Sequence, residues 1–423
     1  MGFRVLGRTG LVGTSVPLSV PFSVPFSVSA SIATSVTARA VCRGFVVLAL
    51  CLAAWGAVRA DTLVAGPAGV PLSLTQAVGQ ARDGDTIEVL PGVYREVLVI
   101  EGRRLTLRGL GERSPVIDGE GRMRVAHAMW TIRGGEVTLE NLEFRGMRAA
   151  DGGGAGVRQE GGKLTLKRCS FFDNEHAVLS TNVDTAELRI AGSVFAQAPK
   201  VRGGLYHLLN VGRIGLLHLT GSRLQQGFEG HLIKSRAKMA FIGYNYINDG
   251  VRGGASYKVE LASGGEATVI GNVIAQGIDG NNPTLLAYGT EGRSWERNAL
   301  YVAHNTFINY GWLPAIFVRV FGDGATGPES LFLVNNLLVG PGLMWPAVRG
   351  EFMGNRHATR GMLRDIWTNG LELPPGSIWR GAGVDPRAID GHDLAPTAEF
   401  DWPAQTRELA PGRSTWSPGA FQR

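Results

Sequence analysis

Apolar residues recur along this chain in short alternating runs, broken by Gly, Asn and Asp, and the runs resemble one another at intervals of about 23–33 residues. The run Val137-Thr138-Leu139-Glu140-Asn141-Leu142-Glu143-Phe144 returns as Leu164-Thr165-Leu166-Lys167-Arg168-Cys169-Ser170-Phe171. The same outline follows at residues 188–195, 217–224, 240–247, 267–274, 300–307 and 331–338. Aligned, these segments place Leu142, Cys169, Ser193, Ser222, Asn245, Asn272, Asn305 and Asn336 in one column. Stacked coils of a β-solenoid explain such a column, because equivalent residues repeat about 4.8 Å apart along the axis. Asn side chains stacked in this way hydrogen-bond to one another, and Asn tolerates the left-handed backbone of a tight corner. The column is therefore read as scaffold. A β-sandwich would instead need paired hairpins, and the repeats look alike rather than paired.

Within a strand, alternation sets the faces. In Ala315-Ile316-Phe317-Val318-Arg319-Val320, it directs Ile316, Val318 and Val320 inward and Arg319 outward. At the N-terminal side, residues 72–81 carry an apolar helical face suited to capping the open core, while residues 346–423 lose the repeat and gain Pro and Trp. The expected architecture is an all-β, single-stranded parallel β-helix over 61–345. A capping helix precedes it and an irregular C-terminal segment, 346–423, packs on it.

The helix at 72–81, followed by Gly84-Asp85-Thr86-Ile87-Glu88-Val89-Leu90-Pro91-Gly92-Val93-Tyr94, resembles the opening of right-handed β-helix proteins of the pectate-lyase-like superfamily. Trp416-Ser417-Pro418-Gly419-Ala420-Phe421 resembles the closing segment of many exported β-helix proteins. The resemblance implies a right-handed coil and carries no reaction with it.

Residues 1–60 change the picture of charge. They hold five Arg and no acid, and the apolar run from Gly44 to Val58 ends at Val58-Arg59-Ala60. A basic flank, a short apolar core and a small residue predict an export signal cut after Ala60; the run is shorter than the roughly 20 residues of a membrane span. Residues 1–40 are low-complexity, with a repeated Ser-Val-Pro-Phe unit, and upstream mis-assignment of the start would account for them. Without the leader, 37 basic residues face 36 acidic ones, so bulk charge argues for neither nucleic acid nor a membrane surface. Cys42 and Cys51 would leave with the leader, and Cys169 alone can form no intrachain disulfide. The expectation is a periplasmic or secreted monomer.

Candidate chemistry concentrates in Gly230-His231-Leu232-Ile233-Lys234-Ser235-Arg236. With Ile233 inward, Lys234 and Arg236 project outward, whereas the opposite register would bury two cations at several kcal/mol each. His231 then points inward by the same count. On the next coil, Tyr257-Lys258-Val259-Glu260-Leu261 sends Lys258 and Glu260 outward, and Tyr288, Glu291, Arg293 and Arg319 follow on later coils. The expectation is a charged stripe facing an acidic polysaccharide, walled by loops 276–283 and 291–298. Catalytic candidates are Lys234, Arg236 and Glu260; binding candidates are His231, Tyr257, Lys258, Tyr288, Glu291, Arg293 and Arg319. The bland alternative is a solvated face whose exposed ion pairs contribute about 0–1 kcal/mol.

Leu232-Ile233-Lys234-Ser235, followed by Tyr244-Asn245-Tyr246-Ile247, resembles a motif of the alginate and dermatan lyases. The resemblance implies that Lys234 is a base removing the C5 proton of a uronic acid, with Arg236 neutralising the sugar carboxylate. That family's Arg followed by His-Gly is absent; Glu260-Leu261-Ala262 stands near its place. An epimerase, a hydrolase or a non-catalytic carbohydrate-binding protein on the same scaffold stays open. For hydrolysis the carboxylate pair would be Glu260 and Glu291, with Asp249 and Asp279 as loop alternatives. No HxxxH or His-Cys cluster suggests zinc. No cofactor is demanded, and Asp249, Asp279 and Glu291 carry the oxygen ligands that calcium would take.

Overall fold

The chain is described from a computed structural model that covers residues 60–422, apart from 68, 323–326, 346–347 and 369. The expected leader, with Cys42 and Cys51, lies outside the described residues. Three long sheets of parallel strands wind around one core, with 12, 11 and 10 strands, called here sheets A, B and C. Each complete coil contributes one strand to each sheet in the order A, B, C. One coil, for example, supplies Met239–Gly243, then Tyr246–Asn248, then Val259–Leu261. This is the parallel β-helix expected from the repeat, with the right-handed coil that the resemblance implied.

The corner between sheets A and B is built by the Asn column. Asn245 N–H donates to Asn272 Oδ1 (2.9 Å), Asn272 N–H to Asn305 Oδ1 (3.0 Å), and Asn305 N–H to Asn336 Oδ1 (3.0 Å). The ladder runs on to Asn355, whose Oδ1 accepts from Asn336 N–H (2.9 Å). Ser193 and Ser222 continue it in the other direction by accepting from the backbones of Cys169 and Ser193. The left-handed residue, however, is the one before the ladder: Arg168, Tyr244, His304 and Asn335 have φ of 51°, 58°, 54° and 53°. The ladder Asn is kept for its hydrogen bonds, not for its backbone tolerance.

Core packing follows the coils. Phe144, Phe171 and Phe195 stack with centroids 5.1 Å apart, and Trp130 caps the stack edge-on at 5.0 Å. Cys169 is buried among these coils, and burial pushes its thiol up to about 12. Strict alternation fails in Ala315–Val320. Ile316 is half-buried, while Phe317 is fully buried beside Val318, in register with the buried pair Leu285 and Leu286 of the coil before. Arg319 does face outward.

The N-terminal helix, Leu74–Gln80, is set by a capping box. Gln76 N–H donates to Ser73 Oγ (3.2 Å) and Ser73 N–H donates to Gln76 Oε1 (2.9 Å), with Leu74, Ala77 and Val78 buried. The solenoid continues past 345: Glu351–Met353 and Arg356–Ala358 add strands to sheets A and B. The rest of the chain does more than cover the end. It returns along the flank, where Ser417 and Gln422 contact His304, Ala420 N–H donates to Thr306 Oγ1 (2.9 Å), and Phe400 and Trp402 pack on Tyr246.

Candidate functional site

Sheet C carries the charged stripe. Register places Asn210, Lys234, Glu260, Ala287 and Arg319 in one outward column over five successive coils. Lys234 and Glu260 are therefore direct neighbours, and their side chains meet at 3.3 Å (Nζ to Oε2). This is no solvated pair: the Lys234 side chain is 16% exposed and that of Glu260 only 4%.

Two further groups complete the enclosure of Glu260. Thr290 Oγ1 donates to its Oε1 (2.7 Å), and His231 Nδ1 stands 2.8 Å from Oε2. The latter approach has the length of a hydrogen bond without its direction. Burial raises the Glu260 pKa, but His231, Thr290 and Lys234 outweigh it and hold the carboxyl down at about 2. On the other side of Lys234, Glu291 Oε1 lies 2.9 Å from Nζ. Arg236 grips the same carboxylate two-handed, Nε at 2.6 Å and Nη2 at 2.7 Å. Hydrogen bonds from Arg236, joined by Lys234, lower the Glu291 pKa. The result is a chain of alternating charge, Glu260, Lys234, Glu291, Arg236, with the His231 ring set against its buried end.

Local backbone explains the placement. Gly230 passes so close under the neighbouring coil that a Cβ there would sit 1.9 Å from Tyr206 O. Glu291 rides on a turn whose Gly289 and Gly292 both have positive φ (77° and 93°). The following segment folds back over earlier coils, where Trp295 Nε1 donates to Arg236 O (3.1 Å) and Arg213 lies 3.6 Å over the indole. Loop 291–298 thus walls the site as expected. Loop 276–283 does not, since Asp279 and Asn281 line a cavity on the sheet B side.

Several sequence-based placements need correction. His231 does not point into the core; it faces Glu260, with the Tyr257 ring edge-on at 5.0 Å. Lys258 does not project outward but is fully buried, its Nζ donating to Ala255 O (2.6 Å) and Ser256 O (2.7 Å). The cause is the corner leading into sheet C, where two successive residues face inward: Leu232 and Ile233 are both buried, and Lys258 occupies the slot of Leu232 one coil on. Burial pulls the Lys258 pKa down to about 8 against the opposing pull of Asp249. Tyr288 does not lie on the exposed stripe; it is wholly buried, with its hydroxyl donating to Gly265 O (2.7 Å). Arg293 braces the wall through Nη1 to Phe321 O (2.8 Å), and Arg319 lies 4.3 Å over the Phe321 ring, apart from the cluster.

Asp249 accepts from the backbones of Gly227 (2.6 Å) and Ala255 (2.7 Å), and burial raises its pKa; Asp279 stands 3.5 Å from Arg252. With Glu291 held by two cations, the three acids named for calcium do not converge. Among the described residues no group of three or more His, Cys, Asp and Glu is poised to hold a metal ion.

A histidine column was missed. His176, His207 and His231 occupy the same position on three coils, each two residues before the column of Val178, Leu209 and Ile233. His207 N–H donates to His176 Nδ1 (3.2 Å) and His231 N–H to His207 Nδ1 (2.9 Å). Burial, reinforced by His231, depresses the His207 pKa to about 2, which keeps that ring an acceptor. The signal was present in the sequence as His176-Ala177-Val178, His207-Leu208-Leu209 and His231-Leu232-Ile233.

No family model matches the chain, and no curated protein matches it. Among solved structures, the crystal structure of pectate lyase Pel9A matches with a TM-score of 0.54 at 12% identity, covering 87% of this chain and 98% of that one. Escherichia coli ybhc matches over 71% of this chain and 86% of that one at 11% identity, with a TM-score of 0.27 that supports no comparison of architecture. The likeness to the pectate lyase is one of fold: this chain has the scaffold on which that lyase is built.

Proposed function

We propose that the Lys234 cluster is the substrate site of an exported, lyase-like protein acting on an acidic, uronate-containing polysaccharide. The observation that carries this reading is the Glu291 carboxylate held between Lys234 and Arg236 at 2.6–2.9 Å. A site that binds one carboxylate two-handed and adds an ammonium is built for a sugar carboxylate as well. Glu291 is the most exposed member of the cluster, at 38%, and sits on a glycine-flanked turn, so it is the member that a sugar carboxylate arriving from solvent can replace. The pectate-lyase-type scaffold is consistent with such a substrate, although fold alone carries no reaction.

In β-elimination a base takes the C5 proton, the electron pair forms the C4–C5 double bond, and the C4–oxygen bond breaks. The geometry favours His231 as that base over Lys234. Lys234 serves as the cation of two ion pairs, whereas the imidazole of His231 is oriented by the Glu260 carboxylate 2.8 Å away. Lys234 and Arg236 then stabilise the charge that grows on the sugar carboxylate as the proton leaves. The imidazolium formed can return its proton to the departing C4 oxygen. An epimerase would share the first step and keep the C4–oxygen bond.

Hydrolysis is less well supported. Through Lys234 Nζ, at 3.3 and 2.9 Å from each, Glu260 and Glu291 lie within about 6 Å of one another, near the spacing of a retaining pair. Such a pair needs one carboxyl held protonated, and both of these are shifted the other way.

The test is ultraviolet absorbance of the unsaturated uronate during incubation with galacturonan, alginate and glycosaminoglycans. A rise that disappears in Lys234→Ala and His231→Ala supports elimination at this site. A flat trace across the panel with folded protein removes the lyase reading, and binding without any product leaves a carbohydrate-binding role.

A further inference from the structure

A cavity lies away from the Lys234 cluster. It has a volume of about 850 Å³, within the range typical of ligand sites. Three separate parts of the chain build it. The outer face of sheet B gives Arg223 and Tyr246; the loops that lead to sheet C give Arg252 and Asp279; the returning C-terminal segment gives Trp402. Lys200 and Arg202 close its rim.

Two features of this lining point to an anionic sugar chain. The first is a fixed aromatic platform. Trp402 remains 39% exposed, although Tyr246 packs on it at 4.9 Å and Phe400 meets it edge-on at 5.4 Å. A half-exposed indole held rigid from behind offers an apolar face for the C–H side of a sugar ring at little entropic cost. The second is uncompensated positive charge. Of the three carboxylates in the lining, Asp249 is buried on the amides of Gly227 and Ala255, Glu229 accepts from Gly203 N–H (2.7 Å), and Asp279 faces Arg252. Among the described residues, Lys200, Arg202 and Arg223 have no carboxylate within ion-pair distance. Arg223 keeps its guanidinium 5.5 Å from the Trp402 ring centre, and its Nε is buried without an acceptor.

We propose that this cleft is a second binding site for acidic oligosaccharide, with Trp402 stacking on a sugar ring and Arg223 pairing with an adjacent carboxylate. Arg223 and Trp402 are close enough for one uronate residue to engage both. Gln225, Gln226 and Asn281 add neutral hydrogen-bonding groups suited to hydroxyls. Such a site would hold a polymer without turning it over, and it needs no reaction at sheet C.

The experiment is calorimetric titration of Lys234→Ala protein with hexameric galacturonate and hexameric alginate, so that binding at the sheet C cluster is weakened independently. Uptake of either hexamer is expected, falling about tenfold or more on adding Trp402→Ala or Arg223→Gln, with maltohexaose binding weakly. The proposal is overturned if neither hexamer binds, if both added substitutions leave the affinity unchanged, or if oligothymidylate binds equally well. Should Trp402→Ala fail to fold, Arg223→Gln on the outer sheet face decides alone. A wild-type protein that gives no unsaturated product while Lys234→Ala still binds the hexamer here sinks the sheet C reading alone, and an active wild type whose Lys234→Ala variant binds no hexamer sinks this one alone.

Discussion

Lys234 and Glu260 sit directly opposite each other on adjacent coils of sheet C, with Nζ 3.3 Å from a carboxylate that is only 4% exposed. That pairing joins the scaffold to the site, because the carboxylate also gathers His231 and Thr290.

Removing Glu260 should therefore cost more than removing a surface acid. Glu260→Ala leaves His231 and Lys234 facing one another without their shared anion. Breaking a buried pair in this way costs about 3–5 kcal/mol. Urea unfolding of the two proteins at neutral pH checks it.

The same carboxylate predicts a pH dependence. Its folded pKa of about 2 lies below the ordinary 4.5, so its stabilisation is complete above the ordinary value and is lost as pH falls toward the folded one. The stability gap between the wild type and Glu260→Gln should narrow steadily across that window. Thermal melts at a series of acidic pH values would show it, and a constant gap would contradict the assignment.

Glu291→Gln should increase affinity for oligouronates, because it removes the resident carboxylate from Lys234 and Arg236. A gain of about tenfold corresponds to about 1.4 kcal/mol. The gain should shrink in high salt, since these charges are partly exposed. Titration at two ionic strengths reads both effects.

Asn272→Leu should destabilise the solenoid without touching the charged cluster. Its Oδ1 accepts from the backbone and the side chain of Asn245, and its Nδ2 donates to Ile242 O (2.8 Å) and to Asn305 Oδ1 (2.9 Å). Each buried group left without a partner costs about 1–3 kcal/mol. A lowered denaturant midpoint is expected, with uronate binding retained at temperatures where the variant is folded.

Gly230→Ala should be severe for a different reason. The added methyl would overlap Tyr206 O, and no side-chain rotation relieves a backbone contact. Overpacking of this kind costs about 1–3 kcal/mol or more. Because Gly230 precedes His231, the variant should lose binding together with stability, seen by comparing melting temperature with oligouronate titration.

The coil repeat, the Asn column and the outward course of Lys234, Arg236 and Arg319 were legible in the chain itself. Period-two alternation and a recurrent corner residue depend only on local backbone geometry and on stacking of like upon like. Where the chain turns a corner, that reasoning failed. At the entry to sheet C two consecutive residues face inward, so Lys258 is buried and His231 faces out, each contrary to simple counting. Phe317 is in the core for the same reason, since it stands one residue before Val318 in the column of Leu232, Lys258 and Leu285.

By itself, then, the sequence determined the solenoid and marked the coil on which charged groups would gather, because both follow from periodicity. Only the tertiary structure decided that Glu291 reaches back to Lys234 and Arg236, that Tyr288 is core, and that Trp402 completes a cleft with Arg223. The contacts of Glu291 and Trp402 join residues 55 or more positions apart through loops of no fixed period, and their geometry is set by packing between coils rather than by any local pattern.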